Sequence, residues 1–285
     1  MNTAIKKEKK FKLNKDYIAI YATIGLFALL FIIGSVLYRG FCTTQVFANL
    51  FIDNAYLIVV AIGEAVAILT GGIDLSVGAM IAFVSMITAS LLQKGVNPVL
   101  VIGIVLLVGI VFGTVQGFLI EKFKLHPWIV TLAGMFFARG SSYIISIDTI
   151  IIDNPLFCKI SSMRIPILPK TFISVNVVIS LIVLLAAIYM LKYTKFGRAV
   201  YAIGGNENSA KLMGLSVSKT KVLVYTFSGF CSALGGLLFT IYTLSGYGLH
   251  CNGMEMDAIA ACVIGGILLT GGSGNIIGPL FGVLT

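Results

Sequence analysis

Glu64, Asp74, Arg139, Glu255 and Asp257 stand in stretches of chain that are otherwise apolar, and they are the residues with chemistry to offer. Asp74 is the most demanding, because it lies in Gly71-Gly72-Ile73-Asp74-Leu75-Ser76-Val77-Gly78, which breaks an apolar stretch with two glycines and an acid. An unpartnered acid at the centre of a bilayer costs about 2.5 to 3.5 kcal/mol on insertion scales. Asp74 therefore needs either the free amides of a helix starting just after it, which favour negative charge, or a substrate or proton. Glu64 and Asp53 in the preceding stretch, and Arg139 in Phe136-Phe137-Ala138-Arg139-Gly140, are candidates for lining a water-filled path. The alternative is an arginine–carboxylate pair that fixes helix packing.

Covalent and metal chemistry find few residues to work with. Cys42, Cys158, Cys231, Cys251 and Cys262 are scattered without a Cys-x-x-Cys pair or a histidine at ligand spacing. No metal site is expected, and the cysteines read as small apolar filler, with a disulfide among Cys42, Cys158 and Cys251 as the alternative. His126 and His250 read as loop residues. No Gly-x-x-x-x-Gly-Lys-[Ser/Thr] phosphate loop occurs, so ATP-driven work would leave ATP and its Mg²⁺ to a partner. The expectation is a protein that is not an enzyme and holds no cofactor of its own.

These residues must be held by membrane helices. Hydrophobic residues make up 58% of the 285 and charged residues 11%, with a mean hydropathy of +1.04, which places the chain among polytopic membrane proteins. A span needs about 20 apolar residues, and such stretches open near Tyr17, Val46, Leu75, Pro98, Trp128, Thr171 and Val222. The pattern predicts an all-α transmembrane bundle: one membrane domain over 17–285, after a basic tail over 1–16. That tail holds six lysines and precedes an apolar stretch without a small-residue cleavage site, so it reads as cytoplasmic. Counting crossings puts Lys122, Lys124, Lys195, Arg198, Lys211 and Lys219 on the same side. The net charge of +9 is then a topology signal, and a nucleic-acid partner has little support. The segment 148–170 reads as the longest outer loop, and a plasma (inner) membrane location in a bacterium follows with the family resemblance below.

The bundle should be broken at matching places. Leu69-Thr70-Gly71-Gly72 and Gly78 recur as Leu269-Thr270-Gly271-Gly272 and Gly278, which points to two related halves. The second copy has Gly274 where Asp74 would fall and Asn275 one place on, so the break itself, with Asp74 holding the next helix start, is the favoured reading. Ala258 to Thr270 is short for a crossing, opens just after Glu255 and Asp257, and resembles a re-entrant or discontinuous element. The last apolar run starts near Asn275 and stops at Thr285, which predicts a chain cut short. Gly113-x-x-x-Gly117 and Gly274-x-x-x-Gly278-x-x-x-Gly282 suit close helix packing. In the polar stretch 192–221, Asn206 or Asn208 can start a short helix that Gly214 ends.

The block Leu69 to Gly78, with Thr131-Leu132-Ala133-Gly134, Arg139-Gly140, Ala202 to Leu215 and Glu255-Met256-Asp257-Ala258-Ile259-Ala260, resembles the permease subunits of ribose-type sugar ABC importers. Thr131 to Gly140 and Tyr201-Ala202-Ile203-Gly204-Gly205 look most similar to a galactofuranose-type permease. The resemblance implies a monosaccharide path shared with a second permease copy or paralogue, a cytoplasmic ABC ATPase and an extracytoplasmic sugar-binding protein. It makes the helix after Asn206 the coupling element, with Gly204, Gly205, Asn206, Glu207, Ser209, Ala210 and Gly214. The path or its helix breaks would use Glu64, Gly71, Gly72, Asp74, Ser76, Gly78, Arg139, Glu255, Asp257, Gly271 and Gly272. The competing reading is a proton-coupled secondary transporter working through Asp74 or Glu64.

Overall fold

The computed structural model describes residues 15–285, with side chains from Ile20 onward, so the lysine-rich tail lies almost wholly outside the described residues. Six helices there are long and apolar enough to cross a membrane: α1 (Lys15–Leu37), α2 (Thr44–Leu69), α4 (Pro98–Phe123), α5 (Pro127–Ile145), α7 (Val175–Tyr193) and α10 (Val217–Thr243). Between α2 and α4 runs the shorter apolar α3 (Val77–Gln93). The chain belongs to the all-α class, as its composition predicts. Polar residues set several of the starts. Thr43 accepts from Val46 N–H at the head of α2, and Asn97 accepts from Val99 N–H with Pro98 in the first turn of α4.

The helices alternate in direction, so one end of the bundle collects Leu69, Lys122, Lys124 and Lys192, and is called the basic end below. At the opposite end the stretch 148–170 departs from an open loop. It holds β1 (Ile150–Ile151), α6 (Pro155–Ser162), whose Phe157 is fully buried, and β2 (Arg164–Leu168). Strand β2 pairs antiparallel with β3 (Thr171–Ser174), so the span expected from Thr171 becomes helical only at Val175. At the basic end the polar stretch is more ordered than its composition suggests: α8 (Lys195–Gly205), started by Thr194, leads into α9 (Glu207–Leu212). After α10, β4 (Ser245–Gly246) pairs with β1, and two short helices follow, α11 (Met254–Ile264) and α12 (Gly278–Leu284).

Helices α2 and α10 form the buried centre, while α1, α4 and α5 turn most of their apolar surface outward, as a lipid-facing ring must. Their closeness depends on glycine. A Cβ on Gly109 or Gly113 of α4 would run into the Gly229 and Tyr225 carbonyls of α10, and one on Gly229 would strike Gly109 and Gly113 in return. Since backbone cannot rotate away, Gly113→Val should cost at least about 3 kcal/mol, the upper end of overpacking. The check is loss of the monodisperse peak on size-exclusion chromatography in detergent; a Gly113→Val protein eluting as wild type would disprove this packing argument. Gly278 and Gly282 serve the α11–α12 contact in the same way, against Gly265 and Ala261. Gly274 lies before α12 with φ +137° and packs on Ile267, so it belongs to the break and not to the helix stripe.

Candidate functional site

The first break is built by side chains that satisfy a non-helical backbone, which a membrane interior tolerates only inside protein. Gly71, at φ +80°, turns the chain and donates to Ile68 O. Gly72 donates to Ala67 O, the Asp74 amide to Glu64 Oε1 at 3.1 Å, and Thr131 Oγ1 on α5 donates to Ile73 O at 3.2 Å. The Asp74 carboxylate then receives Ser76 N–H (3.0 Å) and Ser76 Oγ (2.5 Å) on Oδ1 and Ser228 Oγ (2.7 Å) on Oδ2. Gln116 Nε2 donates to Ser76 Oγ at 3.0 Å and closes the network from α4. Glu64 is wholly buried and Asp74 is 1% exposed. Both acids therefore sit inside the wall of the bundle and organise the start of α3.

The second break repeats this design in backbone terms. Gly271, at φ +82°, donates to Leu268 O as Gly71 does to Ile68 O. Asn275 Oδ1 accepts from Ile277 N–H at 3.0 Å, just before α12, as Asp74 Oδ1 accepts from Ser76 N–H just before α3. The helix-start role is thus kept in the second half by Asn275, one place later than sequence alignment of the glycines suggests. The two breaks also touch. Gly272 N–H donates to Leu69 O at 2.9 Å, filling the orphan carbonyl at the end of α2, and a Cβ on Gly271 would stand 2.6 Å from Gly71 N.

Helix α8 ends on this junction. A Cβ on Gly204 would overlap both Leu69 O and Gly272 N, whereas one on Gly205 would meet nothing within 4 Å. Tyr201 of α8 donates to Gly274 O at 3.0 Å and holds the same contact from one side. Asn206 then starts α9 by accepting from Ser209 N–H at 2.8 Å, and Gly214, at φ +77°, follows its end. Ala210 is fully buried and seats α9, while Ser209 is exposed. Glu207 joins Lys211 (2.7 Å) and Lys221 (2.5 Å), and their hydrogen bonds hold its carboxyl down to about 2. Its ionised form persists as pH falls below the ordinary glutamate range near 4.5, so these contacts are insensitive to pH near neutrality. The apolar residues left protruding are Leu212 and Met213, 90% and 67% exposed. The sequence reading passed over them; an apolar pair closing a polar segment was the available signal.

Arg139 makes no ion pair among the described residues, which corrects the arginine–carboxylate alternative. Its Nη1 donates to Gly248 O (2.9 Å) and His250 O (2.8 Å) in the non-helical segment between α10 and α11. That segment runs deep. Cys251 O and Glu255 N lie 2.8 and 3.3 Å from where a Cβ on Gly78 would stand, in the first turn of α3. At 1.5 Å per residue this point is about 22 Å from the far end of α3. Glu255 is thus packed against Gly78, and Asp257 is exposed. Arg139 supplies the donors that such a re-entrant backbone requires. Among the described residues no cluster of three or more His, Cys, Asp or Glu has metal-binding geometry, and the five cysteines are free.

Residues 46–285 match the family model described as the permease component of the branched-chain amino acid transport system. The chain is 42% identical over 270 residues to the inner membrane ABC transporter permease protein YjfF of Escherichia coli, covering 94% of this chain and 82% of that one. It is 40% identical over 293 residues to the fructose import permease protein FruG of Bifidobacterium longum, covering 97% and 83%. To the ribose import permease protein RbsC of Escherichia coli it is 35% identical over 266 residues, covering 91% and 82%. No solved structure matches the chain significantly.

Proposed function

Since the chain belongs to this permease family, in its ribose-type sugar branch, we propose that it forms the membrane path of a monosaccharide importer and takes its drive through α9. It is a multi-pass inner-membrane permease subunit of a sugar ABC importer. The basic end is cytoplasmic in this reading, as is the N-terminus, because lysine and arginine concentrate there. ATP and Mg²⁺ are handled by a separate ABC ATPase docked on that end, a sugar-binding protein meets the opposite end, and a second permease copy or paralogue completes the path.

The observation that carries this reading is the exposed Leu212–Met213 pair at the end of a short helix whose other face is anchored by Ala210. An apolar knob on a firm support suits insertion into a groove of a partner. Through Gly204 and Tyr201 a push on α9 arrives at both helix breaks at once. Rigid-body motion of the broken helices would then open the path alternately to each side. Proton coupling through Asp74 or Glu64 has less to support it, since both acids are enclosed and Asp74 is already occupied by donors.

The test is Leu212→Asp with Met213→Asp, at side chains that are 90% and 67% exposed. Sugar-stimulated ATPase in reconstituted complex should fall at least about tenfold, as for removal of an interface hot spot, while membrane insertion is unchanged. Wild-type ATPase stimulation in this variant would remove α9 as the coupling element.

A further inference from the structure

We infer that a row of rings between α2, α10 and the re-entrant segment is the sugar-handling face of the path, an inference that rests on the importer reading above. The row runs Tyr242, Tyr56, Phe239, His250, Tyr247, with centroid separations of 6.4, 4.9, 5.0 and 5.7 Å in that order. None of the five rings is fully buried, and Tyr242, in the last turn of α10 at the opposite end, is 45% exposed. The row therefore leads from that end toward the deep segment held by Arg139.

Two acids border it. Asp53 on α2 accepts from the Tyr242 hydroxyl at 3.1 Å, and Asp53 and Asp257 both lie within electrostatic reach of the Tyr56 hydroxyl. Both acids are exposed, although Asp53 lies inside a membrane-crossing helix and Asp257 just beyond the deep start of α11. Asp53 is level with Tyr242 near the opposite end, and Asp257 stands deeper; an exposed carboxylate at the depth of Asp257 faces water or ligand and not hydrocarbon. Two further polar atoms on the segment, His250 Nδ1 and Glu255 Oε2, are enclosed without a hydrogen-bond partner. Arg139, the nearby cation, already spends Nη1 on two carbonyls.

Partly exposed rings offer a flat apolar surface for the C–H face of a sugar ring, and carboxylates accept its hydroxyls. The acids also set the charge of the ligand. A neutral monosaccharide suits this face, whereas a sugar phosphate or sugar acid would meet like charge. Sequence reading names Asp53 and Asp257 as candidates for lining a path, but the bond from Tyr242 to Asp53 beside the Tyr56 ring appears only in three dimensions.

The experiment uses the whole transporter, permease with its ATPase and binding protein, in proteoliposomes, with labelled ribose, fructose and allose as probes. Asp257→Asn should lower maximal uptake about tenfold, as for loss of a charged hydrogen-bond partner in the transition state, with the affinity of the isolated binding protein unchanged. Tyr242→Leu should change the ratio of uptake among the sugars. Uptake and sugar ratios equal to wild type in both variants would overturn the inference. So would a loss that tracks loss of assembled complex, which would make the face a contact between permease copies. If the wild-type complex shows neither uptake nor ATPase stimulation with any sugar that its binding protein retains, the importer reading fails first, and this inference falls with it.

Discussion

Gly204→Ala is expected to abolish coupled uptake, and Gly205→Ala, the same change one residue on, to leave it near wild type. The added methyl at 204 would overlap the Leu69 carbonyl oxygen and the Gly272 nitrogen, which are hydrogen-bonded to each other. Both are backbone, so relief requires separating α8 from the two breaks. The cost is about 1 to 3 kcal/mol of overpacking, with about 1 kcal/mol more if the Gly272–Leu69 bond is lost. At 205 the methyl meets nothing within 4 Å, and helical glycine gives way to alanine with a gain of up to about 1 kcal/mol. Sugar-stimulated ATPase and uptake in proteoliposomes separate the two variants, with chromatography in detergent to confirm that Gly204→Ala still assembles. Equal behaviour at the two positions would show that the drive does not pass through this junction.

That pair of glycines shows where sequence reading stops. Composition and length located the spans because a bilayer imposes them, and Asn206 and Gly214 marked α9 because capping chemistry is local. Gly204 and Gly205 are equivalent in sequence. Only the approach of Leu69 and Gly272, far away along the chain, makes one of them sensitive. The same limit applies to Arg139, whose partners proved to be carbonyls of a segment that every residue type could supply. Gln116 was closer to legible, as a lone amide in an apolar helix, yet its partner Ser76 could not be named without the fold. The hairpin β2–β3 escaped notice because its residues, Arg164 to Ser174, mix proline and apolar residues without a two-residue turn signature.

The matched breaks give the bundle one mechanical feature that neither half has alone. In the first, Gly72 N–H returns to its own helix at Ala67 O; in the second, Gly272 N–H crosses to Leu69 O of the other half. The repeat therefore closes on itself at the basic end, beside the helix proposed to receive the ATPase. Under the proposed coupling, movement of α8 and α9 would act on α3 and α12 together, through starts held by Asp74 and Asn275.

The stability of that arrangement should depend on Asp74 as an acceptor more than as a charge. Asp74→Ala strands Ser76 N–H and the hydroxyls of Ser76 and Ser228 in a buried site, and each unsatisfied donor costs about 1 to 3 kcal/mol. Ser76 Oγ can turn to Gln116 Oε1, 3.4 Å away, which limits the total. A loss of about 3 kcal/mol is expected, seen as a fall in unfolding midpoint of roughly 6 to 10 °C in detergent. Asp74→Asn keeps a carbonyl oxygen for Ser76 N–H, as Asn275 does for Ile277 in the second break, so its fall should be less than half as large. Uptake should follow stability in this series, recovering in Asn relative to Ala. An Asp74→Asn protein that unfolds at the wild-type midpoint yet imports no sugar would mean that the negative charge itself is used in transport, and the helix-start role would then be secondary.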